Sequence, residues 1–239
     1  MKKIFSLMLA VVSLVSVTSC DFIEDLLTET VEIRVGEHFT PKKSTGESIT
    51  GLVSDNPFVA SVSYNTIIGN KVGRARVYSN NYATEFNVIV KPTVTLYDDP
   101  IMQWGLSMEK LISKRGTPDE TNENGLVVYN GGLNSKAVLM EAYLFDERNE
   151  LAASAVAIGK EYYNTAHSHL GERYRNTGYD NDYVYYYVNA LYDDDVTLLV
   201  TIENTEDYTL ISYYPNSLKS GVAPSRAQMH NEIKASIVK

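Results

Sequence analysis

Residues able to do chemistry are few in this 239-residue chain: one cysteine and four histidines, beside thirty carboxylates and twenty-one basic side chains. Cys20 has no disulfide partner, so its thiol is either a buried free thiol or a target for alkylation. His167 and His169 stand two apart. On the helix expected over 161–175 they point about 200° apart at 3.6 residues per turn. They therefore do not pair on a metal as histidines four apart do, and solvated or rim positions are expected for both. Asp180-Asn181-Asp182 and Asp193-Asp194-Asp195 offer oxygen ligands. A calcium loop needs Gly at its sixth position, and counting from Asp180 the sixth residue is Tyr185. The acidic triplets read as hairpin turns, or as two turns meeting around a weakly held ion; no metal site is assigned.

Ser107-x-x-Lys110, Tyr162-x-Asn164 and Lys219-Ser220-Gly221 follow the order used by penicillin-recognising enzymes. That chemistry needs a Ser buried beside its Lys in a large α/β domain, and Ser107 has a sufficient role as a helix cap. The chain carries no Gly-x-Ser-x-Gly elbow, no P-loop and no dinucleotide glycine fingerprint, so no cofactor and no catalytic residue are assigned. Paired carboxylates of the glycosidase kind need only spatial closeness, which leaves an acid-dependent hydrolase as one reading of the second half. Nucleic acid is excluded as a partner for 97–214, where eight basic against twenty acidic residues give a net charge of −12 and repel phosphate.

Tyrosine is concentrated: 12 of the 18 lie between Tyr162 and Tyr214. In the run 183–188, Tyr183, Tyr185 and Tyr187 share one strand face, and Val184, Tyr186 and Val188 share the other. Two readings fit. The three tyrosines form a recognition strip for protein or glycan, since Tyr offers rigid contact area with a polar handle; or aromatic residues occupy these positions because strands favour them.

The elements that must hold these residues divide at the Pro92 and Asp98-Asp99-Pro100 neighbourhood. Residues 31–91 carry seven basic and five acidic side chains, a net of +2 against the −12 that follows. Val31, Ile33 and Val35 alternate with polar residues, the period-2 mark of a strand. Further strands fit at 58–62, 73–78 and 83–90, with turns at Gly46, Asp55-Asn56-Pro57, Gly69-Asn70 and Asn80-Asn81. In the second half, Ser107 caps a helix over 108–115, with Lys114 and Arg115 in its last turn, Gly116 ending it and Pro118 blocking continuation. Strands fit at 126–130, 137–145 and 151–158, a second helix at 161–175, and strands at 183–190, 196–203 and 208–214. Helix then three strands thus occurs twice, consistent with a two-layer α+β domain. The polar tail, 215–239, has a net charge of +3 and fits a short helix over 225–238 or a disordered end.

The amino terminus has a cationic start at Lys2 and Lys3, an apolar run from Ile4 to Val17, and Val17-Thr18-Ser19-Cys20. These zones define a secretory signal, too short to span a bilayer, which takes about 20 apolar residues. The ending resembles the bacterial lipobox. The resemblance implies cleavage before Cys20, a diacylglycerol on its sulfur and an acylated new amino terminus. Residues 1–19 are then a leader and 20–30 an acidic tether (Asp21, Glu24, Asp25, Glu29). The implied location is the cell envelope, lipid-anchored to the membrane, and the resemblance fits either face of an outer membrane.

Val35-Gly36-Glu37, Ser54-Asp55-Asn56-Pro57 leading into Val59-Ala60-Ser61-Val62, and Gly73-Arg74-Ala75-Arg76-Val77 resemble the group 2 bacterial immunoglobulin-like domain. The pattern lacks a Trp before the Ser-Asp-Asn-Pro turn. The resemblance implies a β-sandwich over 31–91, used as a spacer or adhesive module. Gly105-x-Ser107, the short helix and Arg115-Gly116-x-Pro118 resemble the start of outer-membrane lipoproteins of the BamE type and of the β-lactamase-inhibitor-protein fold. That implies a protein-binding scaffold over 97–214.

The expectation is a mainly β protein, an immunoglobulin-like sandwich followed by an α+β domain of two helix-plus-three-strand units. Its expected role is a non-catalytic, lipid-anchored binding or adhesion module for protein or carbohydrate. A periplasm-facing accessory of an outer-membrane assembly complex and a hydrolase are the alternatives. Replacing Cys20 by Ala is expected to abolish incorporation of labelled palmitate and to leave the leader attached, read by the intact mass of the product. Labelled palmitate entering the Cys20→Ala protein contradicts the anchor.

Overall fold

The computed structural model describes residues 29–79, 84–180 and 184–216. The expected leader, Cys20, most of the tether, the Asn80-Asn81 turn, Asn181 to Tyr183 and the tail from residue 217, with its expected helix over 225–238, lie outside the described residues. Within them the chain is mainly β, with two α-helices, and it divides into two compact units, Met1–Lys91 and Pro92–Lys239.

In the first unit the alternation of apolar and polar residues produces strands buried on one side only. One sheet has the order β1-β7-β6-β3: β1 (Glu29–Arg34), β7 (Thr84–Lys91), β6 (Gly73–Ser79) and β3 (Leu52–Ser54). β1 runs parallel to β7. The other sheet is β2 (His38–Phe39), β5 (Thr66–Gly69) and β4 (Ala60–Ser63). Val31, Ile33, Phe86 and Val88 of the first sheet and Ala60 and Ile67 of the second meet in one core. Tyr64 and Asn65, both at positive φ, close β4 onto β5, the backbone that a two-residue hairpin requires.

Gly69 is not in a turn, as the Gly69-Asn70 pair suggests, but ends β5 in the core. Its N–H donates to the Glu37 carbonyl at 3.0 Å, and its own carbonyl accepts the Gly36 N–H at 2.7 Å. A Cβ here would lie 2.6 Å from the Arg34 carbonyl oxygen. Only glycine admits that approach.

Among the described residues the second unit has one eight-stranded sheet and two helices. Helix α1 (Met108–Arg115) precedes β8 (Glu120–Thr121), β9 (Leu126–Asn130), β10 (Val138–Phe145) and β11 (Leu151–Gly159). Helix α2 (Tyr163–Gly171) precedes β12 (Arg175–Tyr179), β13 (Tyr185–Val188), β14 (Leu198–Asn204) and β15 (Tyr208–Pro215). The order β12-β13-β14-β15-β11-β10-β9-β8 joins two four-stranded meanders through their last strands, β11 and β15. Each helix is therefore followed by four strands rather than three. The additional strands are the short β8 and β12. The second helix also ends at Gly171, not at residue 175, because Arg175 opens β12 opposite Val188.

Helix α1 has the punctuation its sequence specifies. The Lys110 N–H donates to Ser107 Oγ at 3.5 Å, and Gly116, at φ +98°, donates its N–H to the Ile112 carbonyl. Leu111 is buried against Val127, Tyr129, Tyr143 and Phe145. Arg115 does more than face the helix dipole: its guanidinium lies 2.7 Å from Glu141 Oε2 and over the Tyr129 ring. Glu141 is 0% exposed on β10, and Tyr143 donates its hydroxyl proton to the same carboxylate. A buried carboxylate is tolerable only with such partners.

Gly69→Ala is expected to lower stability by about 1–3 kcal/mol, the usual cost of overpacking. Chemical denaturation of the purified protein checks this, and an unchanged midpoint contradicts the close approach.

Candidate functional site

The tyrosine-rich strand β13 is built as its period dictates, but its faces are used differently from the recognition strip expected of Tyr183, Tyr185 and Tyr187. Tyr183 lies outside the described residues. Tyr187 is buried beneath α2 in the cluster that holds Ala166 and Leu170, so it is a core residue and not an exposed contact. Period two sends Tyr185 to the same side, and there it is only half-buried.

What assembles at this edge is a stack around His167. The Tyr163 and Tyr185 rings stand edge-on to the imidazole at 4.6 and 4.7 Å between centroids. His167 Nδ1 and the Tyr187 hydroxyl are 2.5 Å apart. Tyr179 of β12, the register partner of Tyr185, places its ring 5.2 Å from it and is 62% exposed. The cluster thus runs from core to solvent in the order Tyr187, His167, Tyr185, Tyr179. Tyr163, His167 and Tyr179 were not among the residues expected at a site. The spacing of Tyr163 and His167, four apart on one helix face, is the sequence signal that identifies two of them.

The electrostatics favour uncharged forms. Burial lowers the His167 pKa below the ordinary histidine value. Burial raises Tyr163 and pushes Tyr187 up to about 12. Near neutral pH the edge therefore presents a neutral imidazole, protonated hydroxyls and ring faces, a set that binds by stacking and hydrogen bonding.

His169 occupies the other side of α2 and is 0% exposed, which corrects the rim position expected for it. Its Nδ1 accepts the Leu96 N–H at 3.1 Å, and its ring lies 4.5 Å from that of Tyr97. The segment 93–97 covers this side of the helix, where the Glu172 carboxylate accepts the N–H groups of Thr93 and Val94. Burial first, then the Arg173 guanidinium, bring the His169 pKa down to about 3.

Two carboxylates of the acidic turns have local partners among the described residues. Asp193 bonds Arg175 at 2.5 Å, and Asp180 accepts the Val184 N–H and the Tyr186 hydroxyl. Among the described residues no three potential metal ligands converge. Asp99 has its pKa raised by burial against the opposing pull of Arg173, whose Nε lies 3.8 Å away.

Because His169 is neutral when folded and protonates freely when unfolded, the unfolded chain binds the extra proton below the ordinary histidine pKa. The histidine's contribution is complete above about pH 6.5 and is lost as pH falls toward about 3, at roughly 1 kcal/mol per pH unit. His169→Gln is expected to flatten stability against pH between 6 and 4.5 by about one proton's worth, measured by urea denaturation. An unchanged slope contradicts the burial of a neutral imidazole.

The chain matches no protein-family model, no curated protein and no solved structure. The function of this edge is therefore argued from its own residues.

Proposed function

We propose that this chain is a non-catalytic protein of the cell envelope, held to a membrane by lipid on Cys20, whose aromatic edge binds a protein or carbohydrate ligand. On this reading residues 31–91 form an immunoglobulin-like sandwich that lifts the second unit from the membrane, and 97–214 is a two-layer α+β binding domain. The shared core of the two small sheets supports the first assignment. The placement of α1 and α2 against the eight-stranded sheet supports the second.

The observation that carries the reading is the exposed Tyr179 ring beside Tyr185, which His167 backs edge-on, with Tyr163 in turn against His167. A ring fixed by neighbours loses little freedom on binding, and such tyrosines contribute disproportionately to interfaces. A sugar face or an apolar side chain can lie on Tyr179, with the neighbouring hydroxyls supplying direction. The net charge of −12 over 97–214 favours neutral or basic ligands over polyanions.

Tyr179→Ala and Tyr185→Ala are each expected to weaken binding to the responsive member of a panel of purified surface polysaccharides and surface proteins. The expected loss is about tenfold, or ~1.4 kcal/mol, per ring, by titration calorimetry at unchanged circular dichroism. Parental affinity in both variants contradicts the assignment of this edge.

A further inference from the structure

The eight-stranded sheet of the second unit is buried on both faces. One face carries α1, α2 and the segment around Tyr97 and Trp104. The opposite face is assembled from strand residues, with Val196 from the loop before β14 at its rim. No described helix of this unit packs there. Yet Leu126 and Leu210 on that face are each 1% exposed, whereas Leu139, on an open strand surface of the same unit, is 51% exposed. A bare sheet face does not bury its leucines to that degree, so a third layer is required, beyond the two that 97–214 itself supplies.

The face is shaped for a helix. Register aligns Ala142, Ala155, Ser212 and Thr201 in one row across β10, β11, β15 and β14. Larger residues border this row, Leu144 and Tyr214 on one side and Met140 and Leu210 on the other. The row of small side chains is a trough spanning three inter-strand steps, about 14 Å at ~4.8 Å each.

We propose that the trough is filled by the chain's own carboxyl-terminal segment, residues 217–239, as an amphipathic helix. Asn216, the last described residue, follows β15, a central strand, and its N–H and side-chain amide donate to the carbonyls of Thr197 and Val196, the rim residue. Within the segment Ser225 and Gln228 have the spacing of a capping box, and Met229, Ile233 and Ile237 recur every four residues on one helical face. A helix over 225–238 is about 21 Å long at 1.5 Å per residue, enough to span the row. Its charge also fits: 217–239 carries four basic residues and one acidic residue, against the strongly acidic unit it would cover.

The test places a photoreactive benzophenone side chain at position 233 of the full-length protein and maps the crosslinks by mass spectrometry. The expected product is an intramolecular link to 138–145, 151–159 or 208–215. A link to a second copy, to another protein or to the leader side of residue 29, or no link to these strands, overturns the proposal. In parallel, Ile233→Asp in the full chain is expected to raise binding of an apolar fluorescent dye several-fold, while Asn231→Asp leaves it unchanged. Equal dye binding in the two variants also overturns it.

Discussion

Six residue pairs, from Ser154 opposite Tyr213 to Gly159 opposite Tyr208, join β11 to β15. They decide the architecture of the second unit. Each meander alone would present an open edge at its last strand, with a row of unpaired backbone groups. Pairing the two last strands removes both edges and leaves only β8 and β12 at the margins. The sequence of β11 is what this central position demands. It is apolar on both sides, with Val156 and Ile158 beneath the helices and Ala153, Ala155 and Ala157 on the other face. β15 answers with Ile211 and Tyr213 on one side and Leu210 and Tyr214 on the other.

A sheet apolar on both sides leaves little room for polar groups, and most of the buried ones have a partner; His169 Nε2 and Ser212 Oγ have none among the described residues. Glu141 has Arg115 and Tyr143. Tyr97 and Tyr213 share a hydrogen bond at 2.8 Å in the core, and His169 is held neutral while accepting from Leu96. Each such bond contributes only about 0.5–1.5 kcal/mol net, but leaving its partner buried and alone costs about 1–3. These groups therefore fix which arrangement is adopted more than how stable it is. The aromatic edge at β12 and β13 lies where this enforced order ends. There the same kinds of residue, tyrosine and histidine, pass from core to solvent.

Legibility in the sequence followed the strength of local signals. Helix α1 was readable to the residue, because Ser107 and Gly116 are specific for its two ends. Strands β9, β10, β11, β14 and β15 were readable as apolar runs bounded by turn residues. Strand β12, Arg-Asn-Thr-Gly-Tyr, reads as a loop because its residues have poor strand preference, and it exists because β13 offers it an edge. The four-residue recurrence that ended at Tyr174 overstated α2. Tyr174 is indeed buried, but it belongs to the turn that follows the helix. The site was partly legible. The tyrosine enrichment pointed to the right edge, but neither the burial of Tyr187 nor the opposite environments of His167 and His169 can be read without knowing what covers each side of α2.

The proposed role depends on the edge formed by Tyr179, Tyr185 and His167 being where the ligand sits. Chemical-shift mapping of isotope-labelled protein against its ligand tests this most directly. The account predicts that the largest changes fall on Tyr163, His167, Gly178, Tyr179 and Tyr185, with His167 remaining neutral in the complex. Changes confined to the first unit, or to the margin at β8, would contradict it.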